Sequence, residues 1–231
     1  MSKKWANSLK LLFVLLIAII GTAQLQSVVP PSEDGLPPLP VAGSSPAANS
    51  LASLSIKGRA PKTGYSRTLF SSGWGNINSC DARNYVLARD LYDITYVPNS
   101  CRVQSGMLAD PYTGRIIKFT RGQDTSDDVQ IDHIVSLSDA WQKGAQSLSP
   151  SERLSLANDP LNLLAVEGDI NQQKGDSDAA SWLPPNKAYR CPYVARQIAV
   201  KLKYKLWVTN AEYIAMAKVL SECPAQNVPS S

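Results

Sequence analysis

Hydrophobic positions divide the chain into three regimes. Residues 11–20, LLFVLLIAII, form an unbroken apolar run, while residues 28–50 carry Pro, Ser, Ala and Gly with no hydrophobic period. Further on, Tyr85, Val86, Leu87, Leu91 and Tyr92 recur at near-helical spacing, which predicts a helix over SCDARNYVLARDLYD. CRVQSGMLADPYTGRIIKFT reads as two strands joined at DPYTG, where Pro111 and Gly114 favour a turn. VQIDHIV alternates as a further strand, and LNLLAV is a short apolar one. Between them Ser149, Pro150 and Glu152 supply a helix start with a capping box. GDINQQKGD predicts a helix ending near Gly175. PYVARQIAVKLKYKLW is amphipathic, with Val194, Ile198 and Leu202 on one face, and Thr209 with Glu212 opens a last capped helix. Strands and helices that segregate in this way predict an α+β fold.

The apolar run follows the basic MSKKWANSLK and precedes small residues at Gly21 and Ala23. This is the pattern of an export signal over residues 1–23, with an uncleaved membrane anchor as the alternative. Residues 24–55 then read as a Pro/Ser-rich disordered linker and residues 56–231 as one folded domain. Export implies a secreted, extracellular protein, or one anchored at the cell surface if the signal stays. The four cysteines, Cys80, Cys101, Cys191 and Cys223, lack the close spacing of a zinc site, so an oxidising compartment predicts two disulfides. Three connectivities are open; Cys80–Cys101 with Cys191–Cys223 is favoured because each closes a local loop.

A formal charge of +4 and a pI near 8.8 are compatible with a polyanionic partner without requiring one. Residues 183–211 hold Lys187, Arg190, Arg196, Lys201, Lys203 and Lys205 and no acid before Glu212, so phosphates could be neutralised there. No base-reading motif is visible, and sequence-independent contact is expected.

His133 is the only histidine of the chain, and Asp132 precedes it. Asn162 stands at the mouth of the second apolar strand, and Asn171 falls in the helix that follows. Carried by IDHIV, ANDPLNLLAV and NQQKGDSDAASWLPP, with CDARNYVLARDL and DPYTG upstream, the chain resembles the HNH endonucleases, in the branch that includes the C-terminal domain of the GmrSD restriction enzymes. The resemblance spans about residues 65–223. It implies a ββα-metal core with an N-terminal helix and hairpin and C-terminal helices.

The activity implied is metal-dependent hydrolysis of phosphodiester bonds in DNA, with RNA as a possible substrate, leaving 5′-phosphate ends. His133 is then the general base, since an imidazole with an ordinary pKa of about 6.5 suits neutral pH. Asn162 is the middle catalytic position, bracing the loop or orienting the ring. Asp132 and Asn171 are hard oxygen ligands for Mg²⁺ or Mn²⁺. Lys174, Arg121 and Arg89 are candidates for contact with nucleic acid, and no stable protein partner is implied. Two departures stand out: Asn171 takes the place of the last histidine, which favours a hard cation over zinc. The segment between His133 and Asn162 is also long enough for one or two inserted helices. The competing expectation is a non-catalytic nucleic-acid-binding or structural domain of the same fold.

Overall fold

The computed structural model describes residues 44–123 and 125–229. The expected signal peptide and residues 24–43 of the expected linker lie outside them. Helix α1 (Pro46–Ala52) comes first, then the minimal hairpin β1 (Asn76–Ile77) and β2 (Cys80–Asp81), and α2 (Ala82–Asp90). Strands β3 (Leu91–Tyr96), β4 (Val103–Ala109) and β5 (Ile116–Thr120) form an antiparallel sheet in that order. Strand β6 (Val129–His133) pairs antiparallel with β7 (Leu163–Glu167), His133 standing opposite Leu163. The excursion between them holds α3 (Leu137–Gln142) and α4 (Pro150–Asn158), and α5 (Gly168–Lys174) follows β7 at once. The long α6 (Arg190–Lys203) and α7 (Asn210–Ser221) close the chain. The architecture is α+β, as expected.

Two boundaries differ from the sequence expectation. The linker was expected to run through residue 55, yet residues 45–54 belong to the folded body. Ser45 caps α1 by accepting from the Ala48 amide at 3.2 Å, and Ala47, Ala48 and Leu51 pack against α6 and α7. Three apolar residues inside a Pro/Ser/Ala stretch are too few to register as a period. The helix expected across residues 79–93 stops at Asp90, and Leu91 turns into β3. LYDITY is aromatic and β-branched and pairs with β4, which offers more than another helical turn would.

The β6–β7 pair lies between two cores. Val129, Ile131, Leu163 and Ala165 face α2 and the three-stranded sheet, whereas Leu164 and Val166 face the core of α1, α6 and α7. Burial on both faces explains the unbroken apolar run of β7. Gly168 sets the β7–α5 turn, because a Cβ there would lie 2.0 Å from the Asp127 carbonyl oxygen. The disulfides are Cys80–Cys101 and Cys191–Cys223.

A balanced ionic cluster ties the helices together. The ammonium of Lys143 meets Asp139 at 2.8 Å, Asp178 at 2.7 Å and Glu212 at 2.6 Å, and Lys201 meets Glu212 at 3.0 Å. Both lysines are sealed from solvent, and Arg59 reaches Asp139 and Asp178 from outside. Three acids thus face three cations, which is what burial of this many charges requires. Lys143 and its neighbours hold the Asp178 carboxyl down at about 2, against the upward push of burial.

Candidate active site

His133 ends β6 and is 6% exposed. Its Nε2 lies 2.8 Å from the carbonyl oxygen of Ala157, at the end of α4. A carbonyl only accepts, so Nε2 carries the proton and Nδ1 keeps a free lone pair. Nδ1 makes no hydrogen bond among the described residues, nor is it among their sealed, unpartnered polar atoms. The ring of Trp74 runs parallel to the imidazole, 10° between planes and 6.1 Å between centroids.

Burial, chiefly, pulls the His133 pKa down to about 3; the Ala157 carbonyl opposes this, and the charges of Arg67 and Lys174 reinforce it. The expected ordinary value of about 6.5 is therefore corrected: His133 is neutral throughout the physiological range.

Among the described residues β6 pairs only with β7, and two hollows adjoin its His133 end. One hollow of about 300 Å³ is lined by Gln130, Asp132, His133, Asn171 and the Arg67 side, among others. A second, of about 260 Å³, lies between His133, Ala157 and the loop from Arg67 to Trp74. Arg67, His133 and Leu137 line both, so the imidazole stands at their junction.

Neighbours in a strand alternate in direction, and Asp132 finds partners that His133 does not share, though both residues border the larger hollow. Its carboxylate accepts from the Tyr112 hydroxyl at 2.5 Å and from the Lys174 ammonium at 2.9 Å. Burial raises the Asp132 pKa, while Lys174 and then Tyr112 draw it back. Asn171 donates its Nδ2 to Gln130 at 2.9 Å, and its Oδ1 accepts nothing among the described residues.

Among the described residues there is no group of three His, Cys, Asp or Glu able to hold a metal. Mg²⁺ does not need one. A carboxylate oxygen with a lone pair to spare and an open amide oxygen on one hollow are donors of the right type for a hard cation that keeps several waters. Asp132 and Asn171 therefore fit such an ion, with Lys174 already offsetting part of the negative charge.

Several expected roles change. Lys174 is 1% exposed and also donates to the His133 carbonyl at 2.9 Å, so it holds the site from within and has no surface to offer nucleic acid. Arg121 spends its guanidinium on the Val103 carbonyl and the Asn84 side chain. Arg89 is bound to Asp90 and to the carbonyls of Pro160 and Leu163. In the basic stretch, Lys201 is sealed, Arg196 grips the carbonyls of Pro160, Leu161 and Leu163, and Lys203 pairs with Asp159.

Asn162 is wholly buried. Its Oδ1 accepts the Val135 amide at 2.8 Å, its Nδ2 reaches the Val135 carbonyl, and its own carbonyl receives the Ile134 amide. It pins the two residues after His133, the bracing part of the role expected of it, and lines neither hollow, so it acts by positioning and not by contact with a substrate. Tyr112, Arg67 and Trp74 went unnoticed in the sequence. Arg67 and Trp74 belong to a short polar stretch, SRTLFSSGWG, whose only signal is an exposed cation and an aromatic among small residues.

Residues 81–219 match the family model of the C-terminal domain of GmrSD restriction endonucleases. The chain is 39% identical over 193 residues to an uncharacterized secreted protein of Arthroderma benhamiae, an alignment that covers 80% of this chain and 91% of that protein. No solved structure matches. With more than half of its length matched, and with the His-bearing strand pair and the following helix inside the match, the chain belongs to the family of GmrSD restriction endonuclease C-terminal domains.

Proposed function

We propose that this protein is an exported endonuclease of the HNH type, hydrolysing phosphodiester bonds in nucleic acid, DNA above all, with little preference for sequence. One observation carries the proposal: the single imidazole is fixed in one tautomer by the Ala157 carbonyl, its Nδ1 has no partner among the described residues, and the ring borders both hollows; burial favours its neutral form. A base needs one ring nitrogen with a free lone pair, and here that nitrogen is Nδ1. Family membership, the similarity to a protein described as secreted, the two disulfides and the N-terminal signal pattern support the rest.

The residues divide the work as follows. His133 Nδ1 takes the proton of the attacking water, and the positive charge that then develops is spread toward the Ala157 carbonyl through Nε2–H. Arg67, unpaired among the described residues and shared by both hollows, offsets the charge of the phosphate. Asn162 keeps residues 134 and 135, and with them the end of β6, in place. Mg²⁺ or Mn²⁺ held by Asp132 and Asn171 supplies, when bound, Lewis-acid stabilisation of the scissile group. The β6–β7 pair with α5 then corresponds to a ββα-metal core.

Supercoiled plasmid and single-stranded RNA, incubated with the protein in Mg²⁺ and in EDTA, test this. Cleavage is expected in Mg²⁺ alone, and His133→Asn should lower it by about 10²–10⁴ while the protein still binds DNA. Equal cleavage by the variant, or none by the wild type, overturns the assignment.

A further inference from the structure

We propose that the hollow between His133 and the loop 67–74 is a subsite for the nucleobase beside the scissile phosphate, with Trp74 as its stacking face and Arg67 on the backbone. The substrate is accordingly a strand whose bases are free to leave the helical stack: single-stranded nucleic acid, or a frayed or nicked duplex. The proposal rests on the nuclease assignment and extends it to the substrate.

The hollow measures about 260 Å³, ample for a base with part of its sugar. Its walls include one cation, Arg67, the hydroxyls of Thr68, Ser71 and Ser72, and the half-buried indole of Trp74, and no acid. That combination suits a flat, polar-edged ring attached to a phosphate. Trp74 is firmly held for such a task. The next residue, Gly75, gives its amide to Asn158 Oδ1 at 2.7 Å and its carbonyl to the Ala82 amide at 2.7 Å, and the indole lies parallel to the imidazole. A phosphate at the junction of the hollows, within reach of His133 and Arg67, places the adjoining base against Trp74 and leaves the other hollow to Asp132 and Asn171. A base in that position has left its stack and its pairing partner, which costs a duplex a few kcal/mol and a single strand far less. The loop precedes residues 81–219, so the subsite belongs to this chain's own N-terminal segment and lies outside the matched region.

The test is fluorescence-anisotropy binding in EDTA, where cleavage plays no part. A short single-stranded oligodeoxynucleotide is compared with a wholly abasic one of equal length and charge. Wild type should bind the base-bearing strand roughly tenfold more tightly, and Trp74→Ala should erase that difference. Trp74→Leu, which keeps apolar bulk without the ring, should erase it as well and guards against a variant that fails to fold. Arg67→Ala should weaken both strands alike and reduce the salt slope by about 0.7. Undiminished discrimination by the folded Trp74 variants overturns the subsite, even if plasmid is still cut. Discrimination that depends on Trp74 without any cleavage in Mg²⁺ upholds the subsite and overturns the nuclease assignment. Absence of binding to either strand overturns the subsite, while cleavage of plasmid or RNA in Mg²⁺ decides the nuclease assignment separately.

Discussion

Lys174→Met removes the ammonium that joins α5 to the end of β6. In the wild type it lies 2.9 Å from Asp132 Oδ1 and 2.9 Å from the His133 carbonyl, with almost no exposure. Methionine fills much of the volume but leaves Asp132 buried with only the Tyr112 hydroxyl beside it. Breaking a buried pair from one side costs about 3–5 kcal/mol. For a domain of this size, that lowers the melting temperature by roughly 6–20 °C.

The deficit should depend on pH with a definite sign. Burial already raises the Asp132 pKa, and loss of Lys174 raises it further, so the native state resists an ionisation that the unfolded chain undergoes near its ordinary value of about 3.9. The cost is thus absent in strong acid and grows as pH rises through that value to the raised one. Thermal melts of wild type and variant from pH 4 to pH 8 should diverge with increasing pH. Asp132→Leu added to Lys174→Met should recover much of the loss, since an apolar pair replaces a broken ionic one. A variant that melts within 2 °C of wild type at pH 7, or a gap constant across pH, would show that the ion pair contributes nothing at this position.

Three further outcomes are expected. The activity profile should stay level between pH 5 and pH 8 as far as His133 is concerned, because burial holds its pKa at about 3; an acid limb near pH 6.5 that His133→Asn abolishes contradicts this. The same depressed pKa means that wild type loses stability as pH falls from about 6.5 toward 3, at about 1.4 kcal/mol per unit, and His133→Asn should lose less over that range in urea titrations. Reduction of both disulfides should cost about 3–4 kcal/mol for each loop closed; unchanged melting in reductant refutes that contribution.

Local signals carried much of this protein. The alternation of VQIDHIV, the Ser149–Glu152 capping box, the Thr209 cap and the apolar period of α6 are interactions among residues a few positions apart, and each became the element it predicts, although the Glu212 side chain, expected to complete a second box, turns to Lys143 and Lys201. The favoured disulfide pairing held for a similar reason, since each bridge closes a short loop. The position of His133 at a strand end, with Asn171 in the next helix, was equally legible.

What the chain order could not determine is where each side chain points and what it meets there. Adjacent in sequence, Asp132 and His133 border one hollow yet have separate partners: the carboxylate is held by Tyr112 and Lys174, the imidazole by the Ala157 carbonyl. Lys174, Arg89, Arg121 and Lys201 read as surface cations, and each is committed to partners inside the fold. Burial and charge balance are properties of the assembled molecule: they turn an ordinary imidazole into one that stays neutral, and they bring Arg67 and Trp74, some 60 residues upstream, to its side. Periodicity and capping determined the elements of this protein, whereas desolvation and long-range pairing, which exist only once those elements pack, determined its site.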